Sequence, residues 1–165
     1  MDQADKGRER SPLYLEDLRV GQRFASGTHA LDAEQIRAFA GQFDPQPFHL
    51  DEAAARTSPF GGLAASGWHT AALTMRLLVE SGPPLAGGLV GVGVEVAWPL
   101  PARPGDSLRV ESEILEIRPS RSRPDRGLVT VRSETRNQRG DVVQTLVGRL
   151  VVPRRSPAEV TPAPG

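Results

Sequence analysis

The sequence predicts an α+β domain in which an antiparallel β-sheet curls around one long buried helix. Three observations carry that prediction. The stretch 68–81, "WHTAALTMRLLVES", spreads Trp68, Ala71, Leu73, Met75, Leu77, Leu78 and Val79 over most of a helical circumference, and a helix apolar nearly all round is a buried one. After it come "GLVGVGVEVAWPLPA", "SLRVESEILEIRPS", "GLVTVRSETRNQRG" and "VVQTLVGRLVV", separated only by turn residues at 103–106, 119–127 and 137–141. Strands so closely spaced in sequence favour antiparallel pairing. No G-x-G-x-x-G follows a strand and opens a helix, so a nucleotide cofactor on a Rossmann unit has no support.

Taken in order, "LYLEDLRVGQRFASGTHALD" gives the first ordered signal. Gly21 marks a turn, and "RFASGTHAL" has the length and turn boundary of a strand. Asp32 stands as an N-cap with Glu34 and Gln35 in the first turn, and Ile36, Phe39 and Ala40 fall at helical spacing, so 33–42 reads as a short amphipathic helix. "DPQPFHLD" is excluded as regular helix, because Pro45 and Pro47 fix φ, remove two donors and push their predecessors towards extended backbone. Asp51 caps a second short helix, "EAAARTS", which "PFGG" breaks. The long helix follows Gly67 and ends at Gly82, Pro83 and Pro84. "NQRGDVV" reads as a hairpin turn. Residues 1–11 and 153–165 are polar or Pro-rich without a burial pattern, and are expected to be tails around one domain over 12–152.

A chain of 165 residues fits one domain with a sizeable core. Its 20 basic and 20 acidic residues cancel, which gives no electrostatic reason to expect a nucleic acid as partner. The absence of Cys excludes disulfides, thiolate metal sites and Cys nucleophiles. The three His show no H-x-x-H or H-x-H spacing, so no metal site is expected. The first residues lack an apolar core of the secretory type, and no apolar run reaches the about 20 residues that span a bilayer. A cytoplasmic protein with no membrane partner is expected.

The chemistry-bearing run is 43–69, "FDPQPFHLDEAAARTSPFGGLAASGWH". Asp44 and His49 flank two prolines, so the backbone between them has little freedom and both side chains are held at fixed positions, which acid–base catalysis requires. The alternative is that Asp44 caps a turn and His49 packs on the core. Gly67 begins the buried helix, where N–H groups lack intrahelical partners and the dipole is positive. A glycine there lets a substrate oxygen approach the backbone; the alternative is a plain turn residue. Ser66 reads as an N-cap or a pocket donor, because "ASG" is not a G-x-S-x-G elbow. His69 is expected in the first turn, lining a pocket or tunnel, and His29 is expected to be structural.

With these residues in view, "FDPQPFHLD…FGGLAASGWHT" resembles the MaoC-like dehydratase family, which includes the (R)-specific enoyl-CoA hydratases. The family's D-x-N-P-x-H-x-D is matched at Asp44, Pro47, His49 and Asp51, with Gln46 for the usual Asn. "RPGDSL", "LEDLRVGQRF" and "LDAEQIRAFAGQFD" also fit, so the resemblance spans about residues 13–152. It implies a hotdog fold, in which an antiparallel sheet wraps a long helix and two subunits join their sheets as a homodimer or a dimer of dimers. It also implies an acyl thioester of CoA or of acyl carrier protein as substrate, with no further cofactor. By the same resemblance Asp44 holds and polarises water, His49 shares the proton traffic, and the Gly67 N–H binds the thioester oxygen. Ser66, Trp68 and His69 complete the expected oxyanion and substrate-binding set. Three positions depart from the pattern: Ser66 stands where many relatives carry His, Trp68 where Met is common, and Met75 where some hydratases place a Ser. The expected activity is therefore that of a hydro-lyase. A hotdog thioesterase and a non-catalytic acyl-thioester-binding module are the alternatives.

Overall fold

The computed structural model describes residues 10–156. A 3-10 turn at Leu15–Asp17 precedes β1 (Arg23–Ala30), α1 (Ala33–Phe43), α2 (Pro47–Leu50), α3 (Glu52–Arg56) and α4 (Gly67–Ser81). Four strands follow: β2 (Val90–Ala97), β3 (Ser107–Pro119), β4 (Arg126–Arg136) and β5 (Val142–Pro153). They form a five-stranded sheet in the order β1-β3-β4-β5-β2, with every pairing antiparallel. The α+β hotdog architecture expected from the sequence is the one present: α4 packs on the sheet against β1, β3 and β5.

The sheet has one apolar and one charged face because its side chains alternate. In β4, Val129, Val131, Ser133 and Thr135 point inward and are buried, while Arg132, Glu134 and Arg136 stand on the other face. Leu31, Ile36, Leu73, Leu77, Leu108, Val110 and Val143 make one core cluster under α4. Leu15, Leu18, Leu85, Ile114, Val129 and Val152 make a second. The outer face is laced by exposed ion pairs such as Arg23–Glu113 and Arg132–Glu113, which contribute little stability individually. The β4–β5 hairpin turns through Gly140, whose φ of +85° favours glycine.

Two expectations change. The prolines of "DPQPFHLD" do not exclude helix throughout: α2 is a single turn that starts at Pro47, where the missing N–H has no intrahelical role and the fixed φ suits the first helical position. The long helix is not buried all round. His69, Thr70, Leu73, Thr74, Leu77 and Leu78 face inward, but Trp68, Met75 and Val79 are exposed, because one sheet covers one side of a helix. Both expected tails begin as attached chain. Arg10 donates to the Ser81 and Gly82 carbonyls at the end of α4, β5 runs to Pro153, and Arg155 pairs with Asp17. Residues 1–9 and 157–165 of those tails lie outside the described residues. Among the described residues no helix is long and apolar enough to cross a membrane.

Candidate active site

Asp44 ends α1. Its N–H still bonds to Ala40 O, but the following Pro45 turns the chain away from helix. Gln46 then bonds back, its Nε2 donating to Asp44 Oδ1 at 2.7 Å. Pro47 starts the single turn that carries His49, which is 3 % exposed. His49 Nδ1 lies 2.7 Å from the Ala64 carbonyl. A carbonyl only accepts, so Nδ1 carries the hydrogen and Nε2 is the ring's working atom. Nε2 lies 3.3 Å from Asp44 Oδ2, and the Asp44 side chain keeps 16 % exposure. The rigid turn therefore brings the two expected residues together.

The segment leading into α4 closes on this pair from the other side. Ser66 is fully buried; its hydroxyl accepts from the Trp68 N–H, as an N-cap does, and donates to Asp44 Oδ2 at 2.6 Å. Gly67 is the first helical residue, and its N–H makes no hydrogen bond among the described residues. A cleft of about 460 Å³ is lined by His49, Gly67, Thr70, Trp98, Leu100 and Arg103. The imidazole and the helix N-terminus thus share one cavity. Asp44 is absent from that wall, and its Oδ2 stands 3.3 Å from Nε2 of His49, which lines it. Burial pushes the Asp44 carboxyl up, but the hydrogen bonds from Ser66 and Gln46 and the charge of His49 outweigh it, so its pKa falls below the usual value and it is ionised.

Trp68 and His69 are not on the cleft wall. Trp68 is 61 % exposed and meets Trp98 edge to face at 5.3 Å. His69 stacks on Phe39 with ring centres 4.7 Å apart, and burial, aided by His29, lowers its pKa to about 4. His29, expected to be structural, bonds Gln35.

Two contributors escaped the sequence reading. The Trp98 indole packs against Gly67, so close that a Cβ at position 67 would stand 2.7 Å from Cε2. Its Nε1 donates to Gln144, which donates to Thr74 inside the core. Arg103, in the "RPGD" turn, donates to the Gly62 and Phe60 carbonyls and so holds the loop that borders the cleft. The clue available in sequence was a lone Trp ahead of "PLP" at a strand end. An ionised carboxylate, an imidazole with one free nitrogen and an unpaired amide at a helix N-terminus suit addition or removal of water beside a carbonyl.

The family described as MaoC like domain matches residues 18–137. A solved MaoC-like dehydratase from Rhodospirillum rubrum is 64 % identical, with a TM-score of 0.86, over 87 % of this chain and 99 % of that one. The uncharacterized protein YdeM of Bacillus subtilis is 34 % identical over 85 % of this chain and 97 % of its own length. The 3-hydroxybutyryl-CoA dehydratase of Methylorubrum extorquens is 33 % identical over 67 % of this chain and 69 % of its own.

Proposed function

The chain belongs to the MaoC-like domain family, and from that footing we propose that it is an acyl-thioester hydro-lyase. It adds water across a trans-2-enoyl thioester or removes it from an (R)-3-hydroxyacyl thioester, carried on CoA or on acyl carrier protein. The 3.3 Å approach of Asp44 Oδ2 to His49 Nε2, with the imidazole facing the Gly67 cleft, carries the reading. In the hydration direction, ionised Asp44 holds the water and the free Nε2 of His49 takes up its proton while the oxygen bonds C3. The electron pair moves to the thioester oxygen, which the Gly67 N–H receives, and as the pair returns to C2 His49 Nε2 passes that same proton to it. No cofactor beyond the carrier enters these steps. The likeness to a 3-hydroxybutyryl-CoA dehydratase supports a thioester substrate.

A panel of enoyl- and hydroxyacyl-CoA esters of varied length and branching, followed by absorbance of the conjugated thioester, tests the proposal. Asp44→Asn and His49→Ala should each lower turnover by about 10²–10⁴ with the fold intact. Near-normal rates in both variants would falsify the assignment. Release of free thiol in place of hydration indicates a thioesterase, and tight ester binding without turnover indicates a binding module.

A further inference from the structure

We propose that Ser66 is a positioning residue, whose hydroxyl locks the Asp44 carboxylate to the N-terminus of α4 and so holds the acid–base pair in register with the Gly67 amide. This rests on the hydratase reading above. Asp44 and Ser66 are 22 residues apart in sequence, on the last turn of α1 and the N-cap of α4, and the 2.6 Å bond between them ties those two ends together. Gly67 is the next residue along the chain, so whatever fixes Ser66 fixes the amide as well.

The hydroxyl has one hydrogen, and the carboxylate takes it. The Trp68 N–H enters the same oxygen at 3.2 Å, so a backbone donor polarises the O–H towards Asp44. Each carboxylate oxygen is engaged: Oδ1 by Gln46, Oδ2 by Ser66, with His49 Nε2 beside Oδ2. His49 is the ionisable group acting on Asp44, while Ser66 and Gln46 contribute neutral donors. Gln46 lies in the same loop as Asp44, so its bond steers the side chain locally. Ser66 alone of these donors belongs to the helix that presents the amide.

Glycine is tolerated at an N-cap with little loss although it lacks the side-chain acceptor, whereas alanine is not. Donation to Asp44 needs the hydroxyl hydrogen. Ser66→Gly therefore removes the donor at little cost to the helix end, Ser66→Ala removes it at a larger cost, and Ser66→Thr keeps the hydroxyl. The measurements are kcat, KM and the pH profile of kcat/KM on the best enoyl-CoA of the panel. They are joined by a titration of the ¹³C-labelled Asp44 carboxyl, assigned with Asp44→Asn. Loss of the donor should lower kcat by about 10- to 100-fold in the Gly and Ala variants, the range for a hydrogen bond to a charged group, with KM little changed. The acid limb and the Asp44 midpoint should both move to higher pH, because the lost bond favoured the ionised form, and Thr should restore them. A wild-type acid limb and an unmoved Asp44 midpoint in Ser66→Gly overturn the inference, even where Ser66→Ala is unstable. A wild-type chain inert on every ester defeats the hydratase reading instead, and the Asp44 midpoint still decides whether Ser66 holds the carboxylate.

Discussion

His69 lies on α4 two residues past Gly67, yet its ring packs on Phe39 of α1 and its buried Nδ1 has no partner among the described residues. Removal from water, with a smaller contribution from His29 of β1, holds its pKa at about 4 against 6.5 for the free side chain. The folded state thus prefers the neutral ring, whereas the unfolded chain binds a proton below pH 6.5. Stability from this group is complete above pH 6.5 and drains away as pH falls towards 4, by about 2 kcal/mol at pH 5. Phe at this position keeps the stack on Phe39 and cannot take a proton. His69→Phe should therefore lose several degrees less melting temperature than the wild type between pH 7.5 and pH 5. Parallel losses in the two proteins would show that the ring does not titrate on unfolding in that range.

The start of α4 is built by contacts that cross the chain, and glycine at 67 answers to one of them. Its φ is helical, so the requirement is room: the Trp98 indole occupies the space of any Cβ. Gly67→Ala should push the ring off Gln144 and destabilise the fold by about 1–3 kcal/mol, as overpacking does. Adding Trp98→Ala should relieve the clash, so the double variant should be more stable than the sum of the single losses predicts, by about 0.5–3 kcal/mol. Additive losses in denaturant unfolding argue against the contact. The same contrast between local and distant explains what the sequence disclosed. The Asp32 and Asp51 caps, the strand alternation and the Asp44–His49 turn arise from residues within a few positions of one another, and all were legible. Ser66 on Asp44, 22 residues away, and Trp98 on Gln144, 46 residues away, are set by how the elements pack, and no local pattern encodes them. The helical turn at Pro47 was missed because proline was weighed as a breaker and not as a first helical residue.

At the scale of the molecule, the two sheet edges differ. β1 carries Arg23, Ser26, Thr28 and His29 and is kinked by an irregularity between Ala25 and Thr28, features that blunt an edge. β2 also has an irregular step, between Gly91 and Gly93, and carries the exposed Glu95, but it exposes Val90, Val92 and Val94 as well. The uncovered side of α4 adds Trp68, Met75 and Val79. Exposed apolar surface on an edge strand is a template for pairing with another chain. We expect that a second copy joined edge to edge through β2 continues the sheet, which is the homodimer implied by the resemblance to the family. Lys at 92 and 94 places like charges on facing edges near the symmetry axis, where repulsion and desolvation oppose pairing. Val92→Lys/Val94→Lys should therefore sediment as a single chain where the wild type sediments as two, with its far-ultraviolet circular dichroism preserved. If the cleft depends on the pairing, hydration should fall along with assembly and recover as protein concentration rises. A variant that remains a dimer of unchanged mass moves the interface away from β2.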